Sequence, residues 1–180
     1  MSDVIVSSKV LTLDEKISNG FQVVLASFFL ALCAQIEIPL YFTPVPITVQ
    51  TLGVFLIGAV LGSRKGSLAV MLYVVQGGLG APFFAGGSGG LIHLLGPTGG
   101  YLMAYPLQGY LVGKFAEKKD LKLLVGFFLA ICVQLGIGSL WLAQFVGIKK
   151  CLILGFYPFI LGDVMKAFIV TMYLKFQRKI

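Results

Sequence analysis

Residues 121–141 read LKLLVGFFLAICVQLGIGSLW. One lysine stands near the start, and no other charge interrupts the run as far as Trp141. A helix needs about 20 predominantly apolar residues to cross the hydrocarbon core of a bilayer, and this stretch meets that length. Working outward, five more apolar segments can be drawn, at residues 20–36, 49–62, 67–75, 97–115 and 158–176. The segments at 49–62 and 67–75 are short. Only Gly62-Ser63-Arg64-Lys65-Gly66, a glycine-bounded turn, parts them.

The composition agrees. Of 180 residues, 58% are hydrophobic and 12% charged, and mean hydropathy is +0.96. A soluble domain carries about 25% charged residues, so an ordinary soluble domain and a disordered chain are both excluded. The length accommodates at most about six or seven spans, which is small for a transporter built from paired repeats. No fixed-period repeat and no linker divides the chain. The expected fold is all-α integral membrane: one domain over 1–180, with a cytoplasmic tail at 1–19 and a compact six-helix bundle over about 20–176. The tail carries Asp3, Asp14 and Glu15 and lacks the basic flank of a cleaved signal. Cys33, Cys132 and Cys151 are odd in number and widely spaced. They suggest neither a disulfide framework nor a metal site, and read as small apolar fillers.

The net charge of +7 has a membrane explanation. With a cytoplasmic N-terminus, the inner segments hold Lys9, Lys16, Arg64, Lys65, Lys114, Lys118, Lys119, Lys122, Lys175, Arg178 and Lys179. That is 11 basic residues inside against 2 outside, Lys149 and Lys150. The bias places both termini in the cytoplasm, leaving the Lys149-Lys150 pair unexplained. Trp141 falls at the outer end of the fifth span, where interfacial aromatics belong.

Two outer loops are unusual. Glu37 to Thr48 is apolar and proline-punctuated; Gly77 to Gly96 is glycine-rich; neither contains Lys or Arg. Irregular backbone at membrane depth survives only where it is buried or lines a cavity. Both loops are therefore expected to fold back and shape a pocket open to the outside.

The sharpest motif is Tyr157-Pro158-Phe159-Ile160-Leu161-Gly162-Asp163-Val164-Met165-Lys166. Proline suits the first turn of a helix. Asp163 and Lys166, three apart, share a face. A charge in the hydrocarbon costs about 2.5–3.5 kcal/mol even on mild scales, so the two must be paired or face a polar cavity. A structural ion pair, a polar floor for a solute and a proton relay all remain open. Gly96-Pro97-Thr98-Gly99-Gly100 lacks the lysine of a phosphate loop, and no nucleotide motif occurs elsewhere. Thr98, Gly99 and Gly100 open the fourth span, where free N–H groups favour acceptors. His93 is the only histidine, with no metal-binding neighbour in sequence, and reads as structural or interfacial. No serine has a His–Asp arrangement to activate it. No cofactor, metal site or catalytic residue is expected. Ser27, Ala31 and Ala34 place small residues on one helix face, suited to close packing inside the protein or against a partner helix.

Several motifs in fixed order resemble the BioY family, the biotin-binding S component of energy-coupling-factor (ECF) vitamin transporters. They are Pro44-Val45-Pro46-Ile47-Thr48-Val49-Gln50, Leu61-Gly62-Ser63-Arg64-Lys65-Gly66, Gly80-Ala81-Pro82-Phe83-Phe84-Ala85-Gly86-Gly87, Gly96-Pro97-Thr98-Gly99-Gly100-Tyr101-Leu102 and Pro158 to Lys166. The resemblance spans about residues 18–175. Ala81, Phe83 and Ala104-Tyr105 depart from common family residues but leave the polar positions intact. The resemblance implies six membrane helices, biotin captured from the outer side, and delivery with a membrane coupling protein and a pair of ATPases. The expected location is the bacterial cell membrane. It makes Ser27, Ala31 and Ala34 the docking face for the coupling protein. The chemistry of biotin then suggests binding roles for Asp163, Lys166, Thr48, Gln50 and the backbone at Gly89 and Gly90. Tyr41, Phe84 and Tyr101 would wall its apolar rings. The rival readings are an S component for another vitamin, a homo-oligomeric channel lined by Asp163 and Lys166, and a small membrane enzyme using Asp163 and His93.

Overall fold

The computed structural model describes residues 2–116, 118 and 120–177. Helix α1 (Ser2–Ala34) runs straight through the segment expected to be a tail. A loop follows, closed by a two-residue antiparallel pair of β1 (Glu37–Ile38) with β2 (Ile47–Thr48), in register Glu37 to Thr48 and Ile38 to Ile47. Next come α2 (Gln50–Gly78), a 3-10 turn (Ala85–Gly87), the short α3 (Leu91–Leu95), α4 (Gly99–Ala116), α5 (Asp120–Val146), α6 (Ile148–Gly155) and α7 (Tyr157–Gln177).

Helix α2 contains both short apolar segments as a hairpin. Its backbone leaves helical geometry at Gly62, at φ 78° and ψ 177°, a region that disfavours side chains with a Cβ. The two arms then run back along each other. A Cβ on Gly66 would lie 2.9 Å from the Gly58 Cα, so only glycine permits this approach. At the open end, Gln50 hydrogen-bonds Tyr73. In a straight helix these residues, 23 apart, would be separated by about 35 Å. At the turn, Lys65 donates to Asn19 Oδ1 (2.9 Å) and Gln22 Oε1 (3.2 Å), fastening the hairpin to α1.

Helix α4 packs between α2 and α5, while α7 closes against α2 and α5. One buried cluster joins Phe55, Tyr101, Phe127, Leu135, Phe159 and their neighbours. A second joins Leu30, Val54, Tyr73, Phe84 and Tyr105. Much of the outward surface is apolar, for instance Leu32, Leu140, Leu161 and Phe168, as a lipid-facing bundle requires. By length and composition, residues Ile17–Ala34, Gln50–Gly78, Lys122–Val146 and Ile148–Gln177 can each cross a membrane.

The small-residue face of α1 lies inside the bundle. Ser27 (0% exposed), Ala31 (6%) and Ala34 (0%) point into the bundle, and Ala31 and Ala34 belong to the core between α1 and α2. The Ser27 hydroxyl donates back to Val24 O at 2.8 Å. Their small size suits close packing of α1 on the hairpin. Cys33 and Cys151 are buried and Cys132 is half-buried, all three as free thiols. Lys149 and Lys150 lie exposed on α6, a helix the apolar pattern does not predict.

Candidate binding site

Both unusual loops fold over the same end of the bundle. The Thr43 hydroxyl donates to Leu154 O (2.8 Å), tying the first loop to α6. The Trp141 indole N–H donates to Gly96 O (2.9 Å), tying the second loop to α5. The amide Nε2 of Gln35 lies among the carbonyls of Pro82, Phe83 and Phe84 at 3.4–3.5 Å. Beneath the loops lies a cavity of about 350 Å³, within the usual range of small-molecule pockets.

Its floor is an ionic cluster at the start of α2 and α7. Lys166 Nζ donates to Asp163 Oδ1 (3.0 Å), Thr51 Oγ1 (2.6 Å) and Thr48 O (2.9 Å). An ammonium has three protons, so all its donors are engaged. The Thr51 hydroxyl in turn donates to Asp163 Oδ1 (2.7 Å). Asp163 is 3% exposed. Two hydrogen bonds converge on its Oδ1, while Oδ2 has no hydrogen-bond partner among the described residues. The cluster therefore presents the Asp163 carboxylate to the cavity together with its counter-ion, Lys166, whose side chain is 17% exposed.

The walls are mostly apolar: Val45, Phe84, Tyr101, Tyr105, Leu135 and Phe159. The Tyr101 hydroxyl donates to Gly155 O (2.7 Å), so the ring itself serves as wall. Glu37, Ser88, His93 and Thr98 are polar parts of the same lining. His93 Nδ1 lies 2.8 Å from Gly89 O. A carbonyl only accepts, so Nδ1 carries a proton.

Of the residues expected from sequence, Asp163, Lys166, Thr48, Gln50, Phe84 and Tyr101 line this cavity together. Tyr41 does not; its side chain is fully exposed on the first loop. Gly89 and Gly90 also stay out of the lining. Gly89 is packed against Ala81, and its carbonyl holds His93; Gly90, at φ 92°, caps α3. The start of α4 does not offer an open anion seat, because the Gly99 N–H bonds Gly96 O (3.0 Å) and the next residue abuts Trp141.

Sequence reasoning missed Thr51, Tyr105, Phe159 and Gln134, and set His93 apart from the site. Thr51 lies three residues after Thr48, a helical spacing beside a motif already recognised. Gln134 is the amide in the middle of the run at 121–141, and polar groups in spans mark function. It is 2% exposed, and its Oε1 has no partner among the described residues.

Comparisons with known proteins agree with this architecture. The chain is 43% identical over 150 residues to "Probable biotin transporter BioY" of Pyrococcus horikoshii, covering 81% of this chain and 89% of that protein. It is 40% identical over 161 residues to "Biotin transporter BioY" of Thermotoga maritima, covering 84% and 92%. Its structure matches a crystal structure of the S component for biotin from an ECF-type ABC transporter with a TM-score of 0.75. That match has 28% identity and covers 93% of this chain and 94% of the other. A model of the BioY family matches residues 8–180, and the chain belongs to the BioY family.

Proposed function

We propose that this chain is the substrate-capture component for biotin uptake, a multi-pass membrane protein with no catalytic activity of its own. The observation that carries the reading is the cavity itself: mostly apolar walls closing on the buried Asp163 carboxylate, with Lys166, Thr48 and Gln50 beside it. Biotin has a ureido ring with two N–H donors, an apolar thioether ring and chain, and a carboxylate tail. A ureido N–H can donate to Asp163 Oδ2, a charge-assisted bond stronger than a neutral one. The fused rings fit between Phe84, Tyr101 and Phe159. Because Lys166 has all its donors engaged, it supports Asp163 and does not neutralise the tail. The tail then points toward Ser88, His93 and Thr98.

In this reading six segments cross the membrane, the two arms of α2 counting separately. The loop-covered cavity opens outward and both termini are cytoplasmic, as the distribution of basic residues favours. Delivery inward proceeds with a membrane coupling protein and the ATPase subunits of an ECF module, which would supply the nucleotide motif this chain lacks. With Ser27, Ala31 and Ala34 buried, a partner meets α1 through the exposed Leu25, Phe28, Phe29 and Leu32.

Calorimetry on the detergent-purified chain tests the reading, with thiamin and riboflavin as controls. The expected result is tight, selective, one-to-one biotin binding with no ATP hydrolysis. Selective binding of another vitamin would move the reading to a sibling carrier. Ion flux in liposomes without biotin dependence would replace it with a channel.

A further inference from the structure

Behind the cavity wall runs a polar relay that links floor to loop. Tyr73 lies on the return arm of α2 and is fully buried. Its hydroxyl lies 3.2 Å from Phe83 O and also bonds the Gln50 amide. A carbonyl can only accept and the hydroxyl has one proton, so that proton goes to Phe83. The hydroxyl must then accept from Gln50, and the donor is Gln50 Nε2. This fixes the orientation of the amide: its nitrogen is held behind the wall, and Oε1 is left as the group offered to the cavity that Gln50 lines. The Tyr73 ring is stacked on Phe83 (6.4 Å, 10°) and meets Phe84 edge-on (5.7 Å, 73°), so it has little freedom to turn away.

We propose that Tyr73, which does not line the cavity, is a positioning residue for ligand capture. It holds Gln50 as a hydrogen-bond acceptor toward the ligand and anchors the second loop at Phe83. The cavity would then present two acceptors to ligand N–H groups, Asp163 Oδ2 and Gln50 Oε1, one for each donor of a cyclic urea. Without the tyrosine hydroxyl the amide is free to flip and present its donor edge. The proposal rests on the biotin reading above for its ligand, but not for the relay.

Tyr73→Phe keeps the ring and removes only the hydroxyl. Two measurements test the idea on the purified chain, with thermal unfolding as a check that each variant is folded. The first is a double-mutant cycle on biotin affinity with Gln50→Ala. Tyr73→Phe should weaken binding about tenfold in the native background, the scale of one hydrogen bond. In the Gln50→Ala background its effect should fall below about threefold. Equal factors in both backgrounds would show that Tyr73 does not act through Gln50, and would overturn its positioning role. The second is hydrogen exchange of residues 79–90 in the ligand-free chain, which Tyr73→Phe should accelerate at least severalfold. Gln35 also reaches Phe83 O, at 3.4 Å, so the loop should loosen without detaching. Unchanged exchange would overturn the anchor. If the native chain fails to bind biotin, the proposed function falls while the exchange measurement still decides the relay.

Discussion

Replacing Lys166 by methionine removes an ammonium that makes three hydrogen bonds and keeps the hydrocarbon stem. It leaves Asp163, 3% exposed, without its 3.0 Å counter-charge. Removing one member of a buried pair costs about 3–5 kcal/mol, because the remaining charge is uncompensated. Without the ammonium the Asp163 carboxylate loses its fixed aim at a ligand N–H, and that bond falls from the charge-assisted scale, about 1.5–3 kcal/mol, toward the ordinary one, about 0.5–1.5 kcal/mol. The loss of about 1–1.5 kcal/mol corresponds to roughly tenfold in affinity. Lys166→Met should therefore lower both thermal stability and biotin affinity. The informative variant is Asp163→Asn combined with Lys166→Met, which removes both charges. Stability should largely return, since no unpaired charge remains. Affinity should stay at least about tenfold below native, because the charged acceptor is gone. Calorimetry and thermal unfolding in one detergent read both quantities. If the double variant binds biotin like the native chain, the pair merely fastens α7 to α2 and the site reasoning is wrong.

Thr51→Val keeps the shape and removes the hydroxyl that bridges Lys166 and Asp163. It should cost about 1–3 kcal/mol of stability and weaken biotin binding severalfold, measured by the same pair of assays. Gln134→Leu replaces a buried amide whose Oε1 lacks a partner among the described residues. The melting temperature should rise while biotin affinity falls; a rise without any loss of affinity would remove Gln134 from the site. Ala31→Leu should destabilise the isolated chain by about 1–3 kcal/mol through overpacking, measured by thermal unfolding. An unchanged melting temperature together with loss of ECF assembly would restore that face as a docking surface. Gly113→Ala would drive a Cβ into the backbone at Gly62 and Ser63, so the hairpin turn must shift away from α4, and the melting temperature should drop clearly.

Much of the architecture is legible in the amino-acid sequence alone. Long uncharged runs such as 123–141 have the length and hydropathy of a membrane span. The Gly62 to Gly66 cluster marks the reversal inside α2, because a positive φ and a close helix approach both need glycine. Charges three residues apart in an apolar helix have to meet on one face, and Asp163 and Lys166 do. Loops without Lys or Arg but rich in Pro and Gly have to be covered, and both line the cavity.

Other features depend on how the helices are rotated and which groups meet across them. The Ser27, Ala31 and Ala34 face suits a partner or the core equally well by sequence, because lipid outside and core inside have the same polarity. In a soluble helix the polar face reveals the rotation; in α1 no such contrast exists. The same ambiguity hides Thr51 and Gln134 as cavity residues, while the exposure of Tyr41 depends on the path of the first loop. Which groups Lys166 bonds besides Asp163 is likewise undecided by spacing. Only the tertiary structure brings Thr48 O and Thr51 Oγ1 from outside α7, close enough to take its remaining protons.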